Sequence, residues 1–371
     1  MPWLAHVPYL FLIGCAFVFG LMVGSFLNVL IVRLPFEKSV VWPSSRCFAC
    51  FTPIRLLDNV PILGYLRLRG RCRACGAGFS ARYLWVEVGT GLAFAALFAV
   101  EVLPNAESGP DVLRPWLPTP GLRFNYMNPG TTLFWAGVYW AVHAFLLAAL
   151  IASAVIDAKH RIIPPQITYT ATAVGLLASV LCPWPCPNPD PGFTAADWTA
   201  LNKTIPVGVC LWPYWVPPDW APPGSPQLGL LNGLIGAGVG MLIARGVREL
   251  FGVGFGKESL GMGDADLLMM AGAFLGWQAI ALALPAGAVI TLAALPFLWV
   301  GAKLIGRTFD VREMAFGPGI AAGVVACWLG WPWLSTLVRA AFFDLTLLAV
   351  VGGVFFGGLL VFGFLLRRRG E

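Results

Sequence analysis

The chain has 371 residues, of which 58% are hydrophobic and only 11% are charged, and its formal net charge is +6. Because a soluble domain carries about 25% charged residues, this composition excludes an ordinary soluble protein and indicates one that uses lipid as its solvent. The basic residues are not spread along one soluble face, so we interpret the charge as a topology signal and expect no nucleic-acid partner.

Apolar segments long enough to cross a bilayer recur along the chain. A transmembrane helix needs about 20 apolar residues, and candidate spans lie at residues 9–32, 84–103, 131–156, 166–182, 227–250, 267–284, 286–302, 318–338 and 342–366. The turn between the sixth and seventh spans is predicted at Leu284-Pro285. The predicted fold class is therefore an all-α polytopic membrane protein with about nine transmembrane helices and a small zinc-binding insert.

The positions of Lys and Arg predict the orientation. Cytosolic loops of membrane proteins are enriched in basic residues. With the N-terminus outside, the outer segments keep only Arg114, Arg123, Lys203 and Arg339 of the 24 basic residues. The opposite orientation would invert this bias, so the sequence predicts an outer N-terminus and a cytosolic C-terminus.

This topology divides the chain into three parts. Residues 1–32 form the first span, residues 33–83 a cytosolic insert, and residues 84–371 a membrane domain. Two long outer loops are predicted near residues 104–130 and 183–226, both rich in Pro and Trp. Indole rings suit a membrane interface, so these loops are interpreted as lying on the outer surface.

Four cysteines in the insert have the spacing of a metal site. Cys47 and Cys50 form one CxxC pair, and Cys72 and Cys75 form a second after an interval of 21 residues. Four thiolates at this spacing can enclose a tetrahedral zinc ion, and the reducing cytosol disfavours disulfides. A unit of this size has little core and needs a staple. Four protein ligands leave no open position, so the predicted zinc is structural.

Acidic residues at the ends of two predicted spans are the candidate catalytic groups, because ionisable residues near membrane depth are costly. Asp157 ends the third span, and Asp264 precedes the sixth, both at the predicted cytosolic boundary. Asp266 is a rival to Asp264. The alternative interpretation is structural: each aspartate caps a helix or pairs with a nearby cation such as Lys159 or Lys257.

Two carboxylates that share one site cannot both ionise cheaply, so one of them keeps its proton. The ionised group can then take a proton from water while the neutral group donates to a carbonyl oxygen. This is the chemistry of peptide hydrolysis without a covalent intermediate. Gly261 and Gly263, which flank this position, would let a substrate backbone come close to Asp264.

Several motifs in the chain resemble those of the type IV prepilin peptidases, or leader peptidase/N-methyltransferases. The motifs are Gly24-Ser25-Phe26-Leu27-Asn28-Val29, Arg33-Leu34-Pro35, the two CxxC pairs, Asp58-Asn59-Val60-Pro61, Leu68-Arg69-Gly70-Arg71-Cys72, Arg82-Tyr83, Val86-Glu87, Gly261-Met262-Gly263-Asp264 and Phe316-Gly317-Pro318. They occur in the order of the family and cover most of the chain.

The resemblance implies roles for particular residues. Asp157 and Asp264 fall on the two catalytic aspartates, and the substrates are prepilins or pseudopilins, cut after a glycine at the cytosolic face of the bacterial inner membrane. Pilus or secretion machinery is a further implied partner. The family also methylates the new N-terminus with S-adenosylmethionine, and Gly70 and Arg71 match positions tied to that activity.

The sequence also departs from the family. Asp266 stands where the family has a lysine, Pro164-Pro165 replaces Pro-Asp or Pro-Asn, and Tyr83-Leu84 replaces Tyr-Pro. Two other hypotheses are a non-catalytic assembly factor, in which the zinc insert docks a secretion component, and a transporter. The transporter is disfavoured because both aspartates are predicted at one face rather than at the midplane.

Overall fold

The structure, a computed structural model, is helical. It describes residues 7–102, 129–181, 220–221, 225–255, 260–304, 306, 315–330, 334, 338 and 345–367. Its α-helices are α1 (Val7–Arg33), α2 (Leu63–Arg67), α3 (Arg82–Glu101), α4 (Pro129–His160), α5 (Pro165–Leu181), α6 (Pro226–Phe255), α7 (Met262–Leu275), α8 (Trp277–Leu304), α9 (Gly317–Leu329) and α10 (Leu345–Arg367). Within these residues the only β-type pairings are isolated bridges, so the predicted all-α membrane fold is confirmed.

Five of these helices are long and apolar enough to cross a bilayer. They are α1, α3, α4, α6 and α8, while α9 and part of α10 are shorter apolar helices. The predicted total of about nine spans stays a prediction. The predicted outer loops at 104–130 and 183–226 lie almost entirely outside the described residues.

The predicted turn at Leu284-Pro285 is wrong. The chain turns at Gly276, which separates α7 from α8 and has φ 76° and ψ 174°. Glycine takes this backbone conformation without the steric cost that a side chain would add. Pro285 lies inside α8, together with Pro296, as membrane helices tolerate when neighbouring groups satisfy the freed carbonyls.

Residues 7–102 and 130–156 form one compact unit. In it α1 packs along α3, and a Cβ atom on Gly20 would lie 2.8 Å from the Cα of Gly91. Trp140 of α4 packs edge-on against the rings of Phe94 and Phe98. The small residues between α1 and α3 let these two backbones approach closely, as in other membrane helix pairs.

Residues 157–367 belong to the second unit. Among its described helices, α6 and α7 make the most extensive contact. A Cβ atom on Gly236 would collide with the backbone of Gly272, and one on Gly240 with the backbone of Leu268. The absence of a side chain at these two glycines therefore lets α6 and α7 pack closely. Gly238 differs, because a Cβ atom there would meet nothing within 4 Å.

Candidate active site and cysteine cluster

Asp157 lies in the last turn of α4, and its residue is only 7% exposed. The backbone N–H of Gly317 donates a hydrogen bond to its Oδ2 atom at 2.9 Å. Gly317 is the first residue of α9, where N–H groups have no partner within the helix and the helix dipole favours a negative charge. A Cβ atom on Gly317 would lie 2.5 Å from the same oxygen. Only glycine fits this contact.

Asp264 is the third residue of α7 and is 8% exposed. Its Oδ2 atom accepts a hydrogen bond from the backbone N–H of Gly261 at 3.0 Å, as in a capping box. The structural alternative is therefore partly right, since Asp264 caps its own helix and Asp157 satisfies the start of α9.

Capping does not use up either carboxylate. Both bonds to Asp157 and Asp264 end on Oδ2, and within the described residues neither Oδ1 atom accepts a hydrogen bond. Nor does either aspartate pair with a lysine or arginine in that part of the chain; Lys257 lies outside it. One oxygen of each carboxylate is thus free to bind water or substrate.

A close backbone contact brings the two aspartates together. A Cβ atom on Gly263 would lie 2.8 Å from the Cβ atom of Ile163, so the first turn of α7 packs directly on the segment that follows α4. The charge on Asp157 consequently acts on Asp264 across the gap. The two side chains, predicted from their shared membrane boundary, are near enough for the charge of one to influence the other.

Asp266 is buried beside Asp264 but has other partners. It is 9% exposed and lies near the side chains of Tyr169 in α5 and Arg245 in α6. Its interactions tie three helices of the second unit together. Asp266 therefore has the surroundings of a structural carboxylate, whereas Asp264 is influenced by the charge of Asp157.

The four predicted cysteines also come together. The Sγ atoms of Cys47, Cys50, Cys72 and Cys75 all lie within 4.8 Å of one another. Cys47 lies 3.7 Å from Cys75, and Cys50 lies 3.9 Å from Cys72. Each CxxC pair sits in a tight turn, which a backbone N–H closes by donating to the carbonyl of Cys47 or Cys72.

These distances fit zinc. Zn–S bonds of about 2.3 Å in a tetrahedron place neighbouring sulfurs about 3.8 Å apart, and a disulfide would need about 2.05 Å. Hydrogen bonding with Thr52 lowers the pKa of the Cys50 thiol to about 6. Backbone N–H groups of Cys75 and Ala74 lower the pKa of Cys72. Both effects favour the thiolate form that binds metal, whereas hydrogen bonding with the neighbouring cysteines, Cys50 first, raises the pKa of Cys75 to about 12.

An ion cluster joins the two halves of residues 47–75, which are called the cysteine-bearing segment. Asp58 accepts two hydrogen bonds from Arg73, at 2.8 Å from Nε and 2.6 Å from the terminal nitrogen, and a further one from Arg67. The Asp58 side chain is only 4% exposed. Hydrogen bonds from Arg73 and then Arg67 hold the pKa of Asp58 well below its usual range.

The residues predicted for methyl transfer lie next to this cluster. Gly70 is buried with φ +66°, and a Cβ atom there would lie 2.9 Å from the ring of Tyr65. Arg71 has an exposed side chain, and its backbone forms an isolated bridge with Gly78. Gly70 therefore shapes the turn and supports Tyr65.

The sequence did not predict two sets of contacts to the candidate site residues. The Gly317 amide that holds Asp157 lies 160 residues away in the chain, and its one signal was the Phe316-Gly317-Pro318 motif. The Tyr169 and Arg245 partners of Asp266 had no signal, because a lone tyrosine and a lone arginine in apolar helices predict no contact.

The fold and the site together define a helical membrane protein with a pair of buried carboxylates and a separate four-cysteine cluster. The family model described as "Bacterial Peptidase A24 N-terminal domain" matches residues 18–100, and the model described as "Type IV leader peptidase family" matches residues 144–296. The chain matches no solved structure with significance.

Curated relatives agree with these matches, and each is called "Prepilin leader peptidase/N-methyltransferase". The relative from Aeromonas hydrophila is 28% identical over 91% of this chain and 96% of its own. The one from Klebsiella pneumoniae is 31% identical over 73% and 86%, and the one from Myxococcus xanthus is 31% identical over 71% and 56%. The chain belongs to the prepilin leader peptidase/N-methyltransferase family. The predicted enzyme class, a membrane aspartic peptidase with N-methyltransferase activity, is confirmed.

Proposed function

We propose that this chain removes the leader from prepilins and pseudopilins by water attack between Asp157 and Asp264. The observation that carries the proposal is that, among the described residues, the Oδ1 atom of each of these two buried carboxylates accepts no hydrogen bond. A backbone N–H group holds the Oδ2 atom of each, so both side chains are fixed without losing the oxygen that would do the chemistry.

The proposed reaction uses the two carboxylates as one unit. The ionised member takes a proton from water, and the water oxygen attacks the scissile carbonyl carbon. The protonated member donates to the carbonyl oxygen. The tetrahedral intermediate then collapses, the C–N bond breaks, and the leaving amine takes the proton first removed from water. Because the groups titrate together, the roles belong to the pair.

The membrane topology defines the face of the membrane at which cleavage takes place. The chain is a bacterial inner-membrane protein by its apolar helices and its family. We propose an outer N-terminus and a cytosolic C-terminus, with residues 1–32 as the first span, 33–83 as the cytosolic insert and 84–371 as the membrane domain. A prepilin has an apolar helix in the bilayer, so its leader boundary reaches the depth of the two aspartates.

The cysteine cluster is proposed to hold zinc through Cys47, Cys50, Cys72 and Cys75. Zinc would join the two CxxC turns and leave no position for water or substrate. Its role is to stabilise the small insert, in which the described helices are short.

Methylation of the new N-terminus is the second proposed activity, with S-adenosylmethionine as donor. S-adenosylmethionine would supply an activated methyl group to the new N-terminal amine and would be released as S-adenosylhomocysteine. Gly70 and Arg71 belong to the segment proposed for this activity, with Gly70 acting through Tyr65.

Co-expression with a prepilin, followed by intact-mass analysis of the pilin, tests the dyad. Asp157→Asn and Asp264→Asn should each abolish leader loss while the enzyme still inserts in the membrane. Asp266→Asn is the matched control and should still cleave, because it keeps the Asp157–Asp264 pair. Cleavage by either dyad variant would refute the assignment, and loss only in the Asp266 variant would move the role to that residue.

A further inference from the structure

Two short helices of the cysteine-bearing segment leave four leucines exposed. The 3₁₀ helix Leu56–Asp58 packs against α2, and a Cβ atom on Gly64 would collide with the carbonyl oxygen of Asp58. The leucines that these two helices expose are Leu56 at 89%, Leu57 at 69%, Leu63 at 65% and Leu66 at 58%. These four residues are named the leucine patch, and they lie outside the candidate membrane spans. An apolar surface of this kind marks a site of contact with a protein partner or a membrane.

Glu87 of α3 fixes the depth of the leucine patch relative to a membrane helix. Its Oε2 atom accepts a hydrogen bond at 2.8 Å from the backbone N–H of Ile62, the residue that precedes α2. Glu87 is the sixth residue of α3, and a rise of about 1.5 Å per residue places it about 8 Å from the start of that helix. Trp85, in the first turn of α3, is 70% exposed, and tryptophans of this kind gather at membrane surfaces. The leucine patch is therefore held beside the headgroup end of α3.

The region between α1 and α3 is strongly basic. Residues 33–83 contain nine Lys or Arg residues and two Asp or Glu residues, so their formal net charge is +7. One of the two acids, Asp58, is already paired with Arg67 and Arg73. Three further arginines near the leucine patch in sequence are exposed, and among the described residues no carboxylate pairs with them: Arg55, Arg69 and Arg71. Their charges are available to an anionic partner.

A bilayer surface fits this region better than a protein partner does. α1 ends at Arg33 and α3 begins at Arg82, and both helices have the length and composition of membrane spans. The region between them is therefore tied to the bilayer at both ends, so it meets lipid at a high effective concentration. Leucines enter the boundary between headgroups and acyl chains, while arginines bind phosphate groups. A protein partner would have to displace lipid from the same depth.

We infer that the leucine patch docks into the headgroup region of the adjoining leaflet, where Arg55, Arg69 and Arg71 bind the phosphates of anionic phospholipids. This surface goes beyond the proposed hydrolysis, because none of its residues belongs to the aspartate pair or to the four-cysteine cluster. Contact with lipid holds the cysteine-bearing segment against the membrane at the end of α3. The lipid composition of the leaflet therefore controls how firmly the segment is held.

Photo-crosslinking of the full chain in nanodiscs tests the inference. p-Benzoylphenylalanine replaces Leu57 in one variant and Met22, which is 53% exposed within the span of α1, in a control variant. Each variant is reconstituted in phosphatidylcholine alone or in phosphatidylcholine mixed with phosphatidylglycerol, and intact-mass analysis after irradiation measures the lipid adduct. At position 57 the adduct should increase about threefold when phosphatidylglycerol is present. At position 22 it should be the same in both lipids, because acyl chains surround that residue in either case.

Charge variants test the arginines in the background of the position 57 crosslinker. Replacing Arg55, Arg69 and Arg71 together by glutamine should lower the adduct in the mixed nanodiscs about threefold, to the level seen in phosphatidylcholine. Replacing the same three residues by lysine keeps the charges and should keep the adduct. Thermal unfolding of each variant shows whether it is folded.

Three results would overturn the inference. They are equal adducts at position 57 in the two lipid compositions, equal adducts in the glutamine and lysine variants, and a crosslink in native membranes to another protein in place of lipid. Leader cleavage is assayed in the same nanodiscs and is a separate readout. A wild type that cleaves while position 57 gives no lipid adduct refutes the docking surface alone, whereas one that gives the adduct but does not cleave refutes the peptidase proposal.

Discussion

The backbone nitrogen of Gly317 lies 2.9 Å from Oδ2 of Asp157 and joins the end of α4 to the start of α9. A carboxylate held by the N–H group of a helix N-terminus is fixed in direction. The contact also needs the absence of a side chain, because a Cβ atom would fall within 2.5 Å of the oxygen. The position of Asp157 therefore depends on a residue that takes no part in the proposed chemistry.

Gly317→Ala should cost leader cleavage about a hundredfold. The added methyl group displaces the Asp157 carboxylate, and an error of about 1 Å in a catalytic group can cost that much. Cleavage of a purified prepilin over time measures the effect. Gly301→Ala in α8 is the matched control, since a Cβ atom there meets nothing within 4 Å. Equal rates for Gly317→Ala and the wild type would show that the α9 contact does not position Asp157.

The sequence could predict where most helices lie, because hydropathy alone marks segments of membrane length. It could not predict the turn at Gly276. Pro285 resembled a breaker, yet a proline inside a membrane helix is tolerated, and the decisive feature is a backbone angle that no pattern encodes.

The candidate site was predictable to a similar extent. Asp157 and Asp264 could be predicted because each lies at one end of a predicted span, at the same predicted face of the membrane. The Gly317 amide could not be derived in this way, since periodicity describes neighbours within a helix and not a contact 160 residues away. The same limit hid the partners of Asp266.

Zinc removal should unfold the cysteine-bearing segment. The purified chain should contain one zinc per molecule by elemental analysis, and Cys72→Ser should lose it, because three thiolates hold the ion far less tightly than four. Trypsin should then cut rapidly at Arg67 and Arg73, which the folded segment engages with Asp58. Cys15→Ser in α1 is the control and should keep its zinc. A zinc-free wild type that resists trypsin would contradict a stabilising role.

The Asp58 cluster predicts a pH dependence of stability. The pKa of Asp58 is lowered in the folded chain by hydrogen bonds from Arg73 and Arg67, so its stabilising effect is fully present above its unfolded pKa of 3.8. It is lost as the pH falls below that value toward the folded pKa. Asp58→Asn should therefore unfold at a lower temperature than the wild type at pH 7. The gap should hold down to about pH 4 and narrow below it. A gap that stays constant down to pH 2.5 would exclude the charge as its cause.

Charge reversal at Asp266 tests its structural role. Arg245 attracts the buried Asp266, so Asp266→Lys would replace an attraction between opposite charges with a repulsion between two cations. The repulsion should lower the unfolding temperature of the chain. The family that the chain resembles has a lysine at this position. A lower unfolding temperature in Asp266→Lys would show that a lysine does not fit beside Arg245 in this chain. The double variant Asp266→Lys with Arg245→Asp restores opposite charges and should recover part of the lost stability. No recovery in the double variant would mean that Asp266 acts through Tyr169 alone.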